Sequence, residues 1–386
     1  MLSEQRIQIV QGLRYLGLIF DEKMTWIPHV IDLKPRTSVI ARGLKKLQGH
    51  KWGLNPHIQK ILFKTVVEKI ITYAAAVWAF SMQGCKIRHL SAIQRPFALD
   101  ITRAYRTTAS NAINVLAGLL PLHLRVQKEA VRQLIKQLRR PASFSDEYFL
   151  PEEYEIPAPD FRTHPPFKGI GVWIQVQPNT TALPSQIEIY TDGSKINENT
   201  GSAFAVLRHH IITHHWKGQL RSQNSIFQDN LSSLHALGNP DHPSPIIQNI
   251  QQNLREHFLH QLKLEWIKPH AGHYGNETTD SLAKEAASCN ADTLVNIPWP
   301  ISYLKKCLRL KAIGRWQEEW DQGSNGRRAQ YHIAYVDTDR IISNPQLVRF
   351  ITGHGPFRQY FAKTEAEFHS NRTQSAAEIL DPQSIT

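Results

Sequence analysis

Two stretches of this 386-residue chain carry residues that could do chemistry. The first is Ile187–Ser194, IEIYTDGS. Ile187 and Ile189 alternate with polar residues, and Asp192 stands just before Gly193 and Ser194. The pattern predicts a short strand that delivers a carboxylate at its end, followed by a turn. A carboxylate on a rigid strand can hold a metal ion. Taken alone, the octet reads more readily as an Asp that opens a turn. The second stretch is Trp266–Ala287, WIKPHAGHYGNETTDSLAKEAA. It leaves a predicted strand over Gln261–Trp266, crosses a loop with His270 and His273, and turns at Gly275-Asn276. A helix is predicted from about Glu277 through Ala287, with Asp280 in its first turns, able to point back towards the strand ends. A basic set accompanies these carboxylates. Arg125, Lys128, Arg132, Lys136 and Arg139 lie in a predicted helix over Pro121–Arg140, several at three- and four-residue spacing on one face. Such a stripe either contacts phosphates or is a solvated helix surface.

The bulk composition agrees with a polyanionic partner. The net charge is +12 and the pI is near 9.6, which points to nucleic acid before an anionic membrane surface. Cys85, Cys289 and Cys307 are far apart with no C-x-x-C. That argues against a disulfide framework, excludes a zinc site on paired thiolates, and fits a reducing compartment. The first residues, MLSEQRIQIV, lack a basic region followed by an apolar core, so no signal peptide is expected. The longest apolar run, near Ile70–Phe80, falls short of the roughly 20 residues that span a bilayer. An intracellular protein of nucleus or cytoplasm, with no membrane segment, is the expectation.

The elements that must position these residues fall into four segments. Residues 1–140 read as helical. A strand is predicted over Gly12–Phe20, and Asn55-Pro56 is a helix start, with Asn as cap and Pro in the first turn. The helix it opens runs through Ile61, Val66, Ile70 and Tyr73 towards Trp78, a predicted core residue. Further helices are expected over Ile87–Tyr105, from Thr107 to Leu116, and over Pro121–Arg140. Residues 141–186 hold eight prolines and predict an extended linker. Within 187–290, strands over Gly201–Arg208 and Ile211–Trp216 follow the first, joined at His209-His210. His209, His210, His214 and His215 decorate this hairpin, with no carboxylate or cysteine nearby in sequence to complete a metal shell. Residues 291–386 predict a basic helical tail, beginning near Pro298–Trp320.

The sequences YLGLIFDEKMTWIPHV, ITYAAAVWAF, LSAIQRPFAL and YRTTASNAINVLAGLLPLHLRV resemble the region after the polymerase core in non-LTR retrotransposon polyproteins, jockey-like elements among them. That resemblance implies a helical thumb and connector. The Asp-Asp pair of a polymerase palm does not precede Tyr15, so polymerase activity is not implied. PWPISYLKKCLRLKAIGRWQEEW and FITGHGPFRQYF match the same family order further on, and the Cys/His knuckle that commonly follows has no cysteines here in Phe361–Thr386. The resemblance covers about Leu13 to Phe361.

The constellation TDGS … D … W-x-x-x-H-x-G-x-x-G-N-E-x-x-D-x-L-A-K resembles type 1 ribonuclease H. It implies a five-stranded mixed sheet with flanking helices, an α+β or α/β fold, and cleavage of the RNA strand of RNA–DNA hybrids. Two Mg²⁺ (or Mn²⁺) ions about 4 Å apart would serve such hydrolysis, and these hard cations favour carboxylate oxygens. The resemblance places Asp192, Asp229 and Asp280 as metal ligands and His270 as the loop histidine that assists proton transfer or product release. It also exposes a gap. The family carries a catalytic Glu on its first long helix, in a stretch like SIFQAE. Here Ser225-Ile226-Phe227-Gln228 runs straight into Asp229-Asn230-Leu231. About 25 residues, the Glu with the rest of its helix and most of the fourth strand, are missing near 228–229 by this analogy. No residue matches the Glu, and the expectation is a ribonuclease H-like segment with impaired activity, or a catalytically dead nucleic-acid-binding remnant.

Overall fold

A computed structural model describes residues 10–47, 53–79, 82–156, 173–175, 187–197, 199–221, 231–240, 242, 244–257, 263–267, 272–288, 294–295 and 297–355. Asp229 and His270 lie outside the described residues, as do most of the proline-rich stretch and the end of the chain. The chain divides into two units. One comprises Met1–Leu134, Ala142–Tyr148 and Cys307–Thr386; the other comprises Ile135–Pro141 and Phe149–Lys306.

The first unit opens on a hairpin, β1 (Gly12–Tyr15) against β2 (Leu18–Asp21), where one continuous strand is expected from the sequence. Leu16 and Gly17 both have positive φ, 46° and 82°, the two-residue turn whose twist suits paired strands. The Asp21 carboxylate then accepts the Thr25 and Trp26 amides (2.9 and 2.8 Å) and fixes the entry to α1 (Ile27–Lys46). Asn55 caps α2 (Pro56–Leu62) as its sequence predicts, accepting from the His57 amide at 2.8 Å. This helix continues through a π-helical stretch, Phe63–Val67, into α3 (Glu68–Ile71), and breaks at Ala74 (φ 48°) before α4 (Ala75–Trp78). Helices α5 (Cys85–Thr102), α6 (Ser110–Ala117) and α7 (Leu122–Lys136) follow. Phe63, Ile71, Leu90, Ile113 and Trp78 are fully buried in their common core, Trp78 as expected.

The proline-rich stretch does not begin as an extended linker. β3 (Ala142–Phe144) pairs with β4 (Glu147–Phe149). A single 3-10 turn, Pro151–Glu153, comes next, and Trp299 closes over it: its amide donates to Glu153 O (2.7 Å) and its carbonyl accepts from the Glu155 amide (2.9 Å). Proline is tolerated here because Pro151 sits at the first position of its turn, where an N–H would have no partner. Of residues 157–186, only β5 (Trp173–Gln175) is described.

The second unit is built on a meander of three ten-residue strands, β6 (Ile187–Ile196), β7 (Asn199–Arg208) and β8 (Ile211–Leu220). His209 and His210, both at positive φ (50° and 65°), make the turn between β7 and β8. Then come α8 (Leu231–Gly238), α9 (Pro245–His257), β9 (Lys263–Glu265), α10 (Tyr274–Ser288) and β10 (Leu294–Val295). β10 adds in parallel to β8, giving the order β10-β8-β7-β6. The expected five-stranded sheet does not form among the described residues. β9 pairs in parallel with β5, Trp173 opposite Lys263 and Gln175 opposite Glu265, in a sheet of its own.

The last elements are α11 (Ile301–Gln322), α12 (Arg327–His332) and α13 (Pro345–Thr352), the last capped by Asn344, which accepts from the Gln346 and Leu347 amides. From Cys307 onward this is no separate tail. The Lys60 ammonium donates to Arg340 O (2.8 Å), the Ile342 amide donates to Leu116 O (2.9 Å), and His123 meets Glu319 at 2.8 Å. Basic side chains and one open carbonyl on the early helices thus pair with a late segment, a match no local pattern reveals. Among the described residues no helix is long and apolar enough to cross a membrane.

Candidate functional site

Asp192 lies within its strand rather than at its end. β6 continues four residues further, to Ile196, with Asp192 paired to Ala203. Gly193 and Ser194 stay in the strand because Gly201, opposite Ser194, leaves room for α10 to lie directly on the sheet. A methyl at Gly201 would overlap the Ala283 carbonyl and the Ala287 amide. At the other end of α10, Gly275 plays the same part against the Tyr190 ring. Side chains alternate along a strand, so Tyr190 and Asp192 share the face that α10 covers. The small residues Ala283, Ala286 and Ala287 complete this contact and are buried. The helix is pinned from outside by an ion pair between Glu285 and Lys217 on β8.

This packing sets Asp280, on the second turn of α10, beside the same region as Asp192. One turn further along, Lys284 donates to Asp280 Oδ2 at 2.7 Å. Its hydrogen bond to Asp280, with the negative charges of Asp280 and Asp192, holds the Lys284 ammonium above the usual lysine range. Asp192 Oδ1 accepts from the Gly193 amide at 2.7 Å. Lys284 is a site residue that the sequence reading passed over, although Asp280 and Lys284 stand at the i, i+4 spacing of a helical ion pair. Two residues before Asp192 on β6, burial and the Glu188 carboxylate, which accepts from the Tyr190 hydroxyl, push the Tyr190 phenol up to about 12.

Among the described residues, no group of three or more His, Cys, Asp or Glu is placed to hold a metal ion. Two carboxylates, one already engaged by an ammonium, do not supply the oxygen-rich donor set that a pair of Mg²⁺ ions needs. On the described residues alone, the site does not fit the group that the resemblance implies.

The basic stripe is drawn apart. Arg125 Nε donates to Glu68 (2.7 Å) and Nη1 to Glu129 (3.2 Å), and the three side chains are 14%, 7% and 10% exposed. Arg132 Nε donates to the same Glu129 at 2.9 Å. Burial works against the Arg125 charge, but Glu68 and Glu129 outweigh it and hold the guanidinium above its ordinary value. Burial, then Arg125, brings the Lys128 ammonium down to about 8. Arg139 falls off the face altogether. α7 ends at Lys136, and Arg139 adopts a left-handed φ of 49° and donates to Tyr154 O at 3.3 Å. Lys136 remains half-buried at the helix end. Helical spacing finds neighbours on one face, but it does not say whether that face meets water or two buried glutamates.

Comparison with known proteins matches residues 233–288 to the RNase H family model. That span includes Asp280. Curated relatives include a Retrovirus-related Pol polyprotein from type-1 retrotransposable element R1 4 of Nasonia vitripennis, 30% identical over 38% of this chain and 40% of the relative. The chain is related to the Pol polyproteins of R1-type non-LTR retrotransposons. A putative 115 kDa protein in type-1 retrotransposable element R1DM of Drosophila melanogaster is 25% identical over 34% of this chain and 13% of its own length. A further R1 polyprotein, from Bradysia coprophila, is 24% identical over 36% of this chain and 14% of its own. The chain thus spans less than half the length of these relatives. No solved structure matches it. The matched span contains α9, β9 and α10, and the meander that carries Asp192 precedes it.

Proposed function

We propose that this R1 relative is an intracellular, nucleic-acid-binding protein whose RNase H-type segment cleaves RNA–DNA hybrid very slowly or not at all. The observation that carries this reading is the edge of the main sheet. Among the described residues β6 has no neighbour on its outer side, and β9 pairs with β5 instead. In the resembling fold that place belongs to the fourth strand, next to the helix bearing the catalytic Glu. The gap that the resemblance implies near residues 228–229 would remove both. Asp192 and Asp280 remain on one face, and Asp229 and His270 would complete what is left of the site. Their roles as metal ligands (the three Asp) and proton shuttle (His270) are carried over from the resemblance. The Lys284 ammonium already engages the Asp280 carboxylate, an oxygen donor that a divalent ion would need.

The exposed side of the sheet supports the same reading. Ile187 and Ile189 are 47% and 59% exposed, and Phe204 stacks on Trp216 at 5.9 Å with both rings 37% exposed. These apolar side chains suit a covering helix. The test is cleavage of an RNA–DNA hybrid in Mg²⁺ or Mn²⁺, with this chain beside a version carrying the intervening segment of an intact relative between Gln228 and Asp229. The unmodified chain is expected to be at least about a thousandfold slower, a loss of about 4 kcal/mol. Cleavage at equal rates would end the proposal. Residual cleavage that disappears in Asp192→Asn favours a weakened enzyme; none at all favours a binding remnant.

A further inference from the structure

The surface of α12 and α13 carries a feature that the RNase H reading does not use. Tyr331 is 87% exposed and Phe350 is 55% exposed, values far from those of core aromatics. The His332 ring lies between them, its centroid 5.2 Å from Tyr331 and 5.1 Å from Phe350. Arg328 covers the Phe350 ring at 5.9 Å and donates through Nε to Phe350 O at 3.1 Å. The two helices, RRAQYH and PQLVRFIT, hold Arg327, Arg328 and Arg349 and no Asp or Glu. The Arg328 guanidinium and the exposed rings therefore share one positively charged surface, with Arg327 exposed beside Arg328 in the helix, whereas Arg349 turns away onto the Tyr105 ring at 5.4 Å.

We propose that this surface binds single-stranded nucleic acid, with bases stacking on Tyr331 and Phe350 and phosphates meeting Arg327 and Arg328. Exposed rings lose nothing sequence-specific by stacking on a base, because every base presents a flat face. A duplex hides those faces inside its own stack, so the rings select single strands over duplex. The charges favour the polyanion over a protein partner, since the exposed Arg327 and Arg328, on helices without Asp or Glu, leave an excess that a phosphate chain neutralises. DNA and RNA single strands share this chemistry. The surface uses neither Asp192 nor Asp280, and the proposal holds whether or not the RNase H segment cleaves.

The test uses the full chain and fluorescence anisotropy with labelled 15-mers of oligo(dT) and oligo(U), beside a blunt DNA duplex of the same length. The variant Tyr331→Ala/Phe350→Ala is expected to lose about tenfold or more in single-strand affinity, with duplex affinity changed less than about twofold. Arg327→Ala/Arg328→Ala should weaken both and flatten their salt dependence. Loss in both single-strand arms assigns the surface to either nucleic acid; loss in one arm assigns it to that one. Tyr331→Phe/Phe350→Tyr, which keeps both rings, should restore binding and so separates stacking from misfolding. Unchanged single-strand affinity in the double alanine variant overturns the proposal. So does an equal loss on single strand and duplex that the ring-preserving variant fails to restore.

Discussion

Replacing Lys128 by Met should make the first unit more stable, although it removes a charge from what the sequence presents as a phosphate-binding stripe. Lys128 is half-buried on α7 beside Arg125, Glu68 and Glu129, and both glutamates already have arginine partners. Burial and the neighbouring guanidinium bring its ammonium from 10.5 to about 8. That shift corresponds to about 3 kcal/mol against the charged form, and solvent at a half-buried site reduces the realised effect to about 1–2 kcal/mol. The sign follows from proton uptake. Between about pH 8 and 10.5 the unfolded chain binds this proton more tightly than the folded one, so wild-type stability rises with pH across that window. Met has no proton to gain. The advantage of Lys128→Met is therefore full below pH 8 and fades as pH approaches 10.5. Lys60, also brought down to about 8 by burial, is present in both proteins and cancels in the difference. Thermal unfolding of the full chain at pH 7 should show the transition of the first unit raised by roughly 3–6 °C. A variant that is less stable, or whose gain does not change with pH, would mean that the Lys128 ammonium reaches solvent. The phosphate-contacting face would then be open after all.

Two further outcomes follow from the packing. Gly201→Ala places a methyl against the backbone of α10 and should cost about 1–3 kcal/mol, read as a lower unfolding temperature of the second unit; a stability equal to wild type would show that α10 is not seated on β7. Removing Cys307–Thr386 takes away the partners of Lys60, His123 and Leu116 and uncovers apolar surface on the early helices. Residues 1–306 should then show faster amide exchange in α2 and α6, and unchanged exchange there would return the tail to independence.

Local chemistry in the sequence determined a good deal. The Asn55-Pro56 helix start, the burial of Trp78 and the hairpin turn at His209-His210 are all decided within a few residues, by capping, ring size and turn geometry. The candidate carboxylates Asp192 and Asp280 stand out in the sequence for a similar reason, since each belongs to a compact local motif. Tertiary structure decided the rest. Whether Asp192 ended its strand depended on Gly201 admitting a helix 80 residues away in the chain. Whether the basic stripe met water depended on Glu68, which no periodicity of α7 can reveal. The neighbour of β9 depended on what was available to pair. Among the described residues, β5 from the proline-rich stretch satisfies its backbone groups, because an unpaired edge costs hydrogen bonds wherever it is not solvated. The residues after Cys307 joined the first unit for a comparable reason, since the Lys60 ammonium and the Leu116 carbonyl find their partners there and nowhere nearer in sequence.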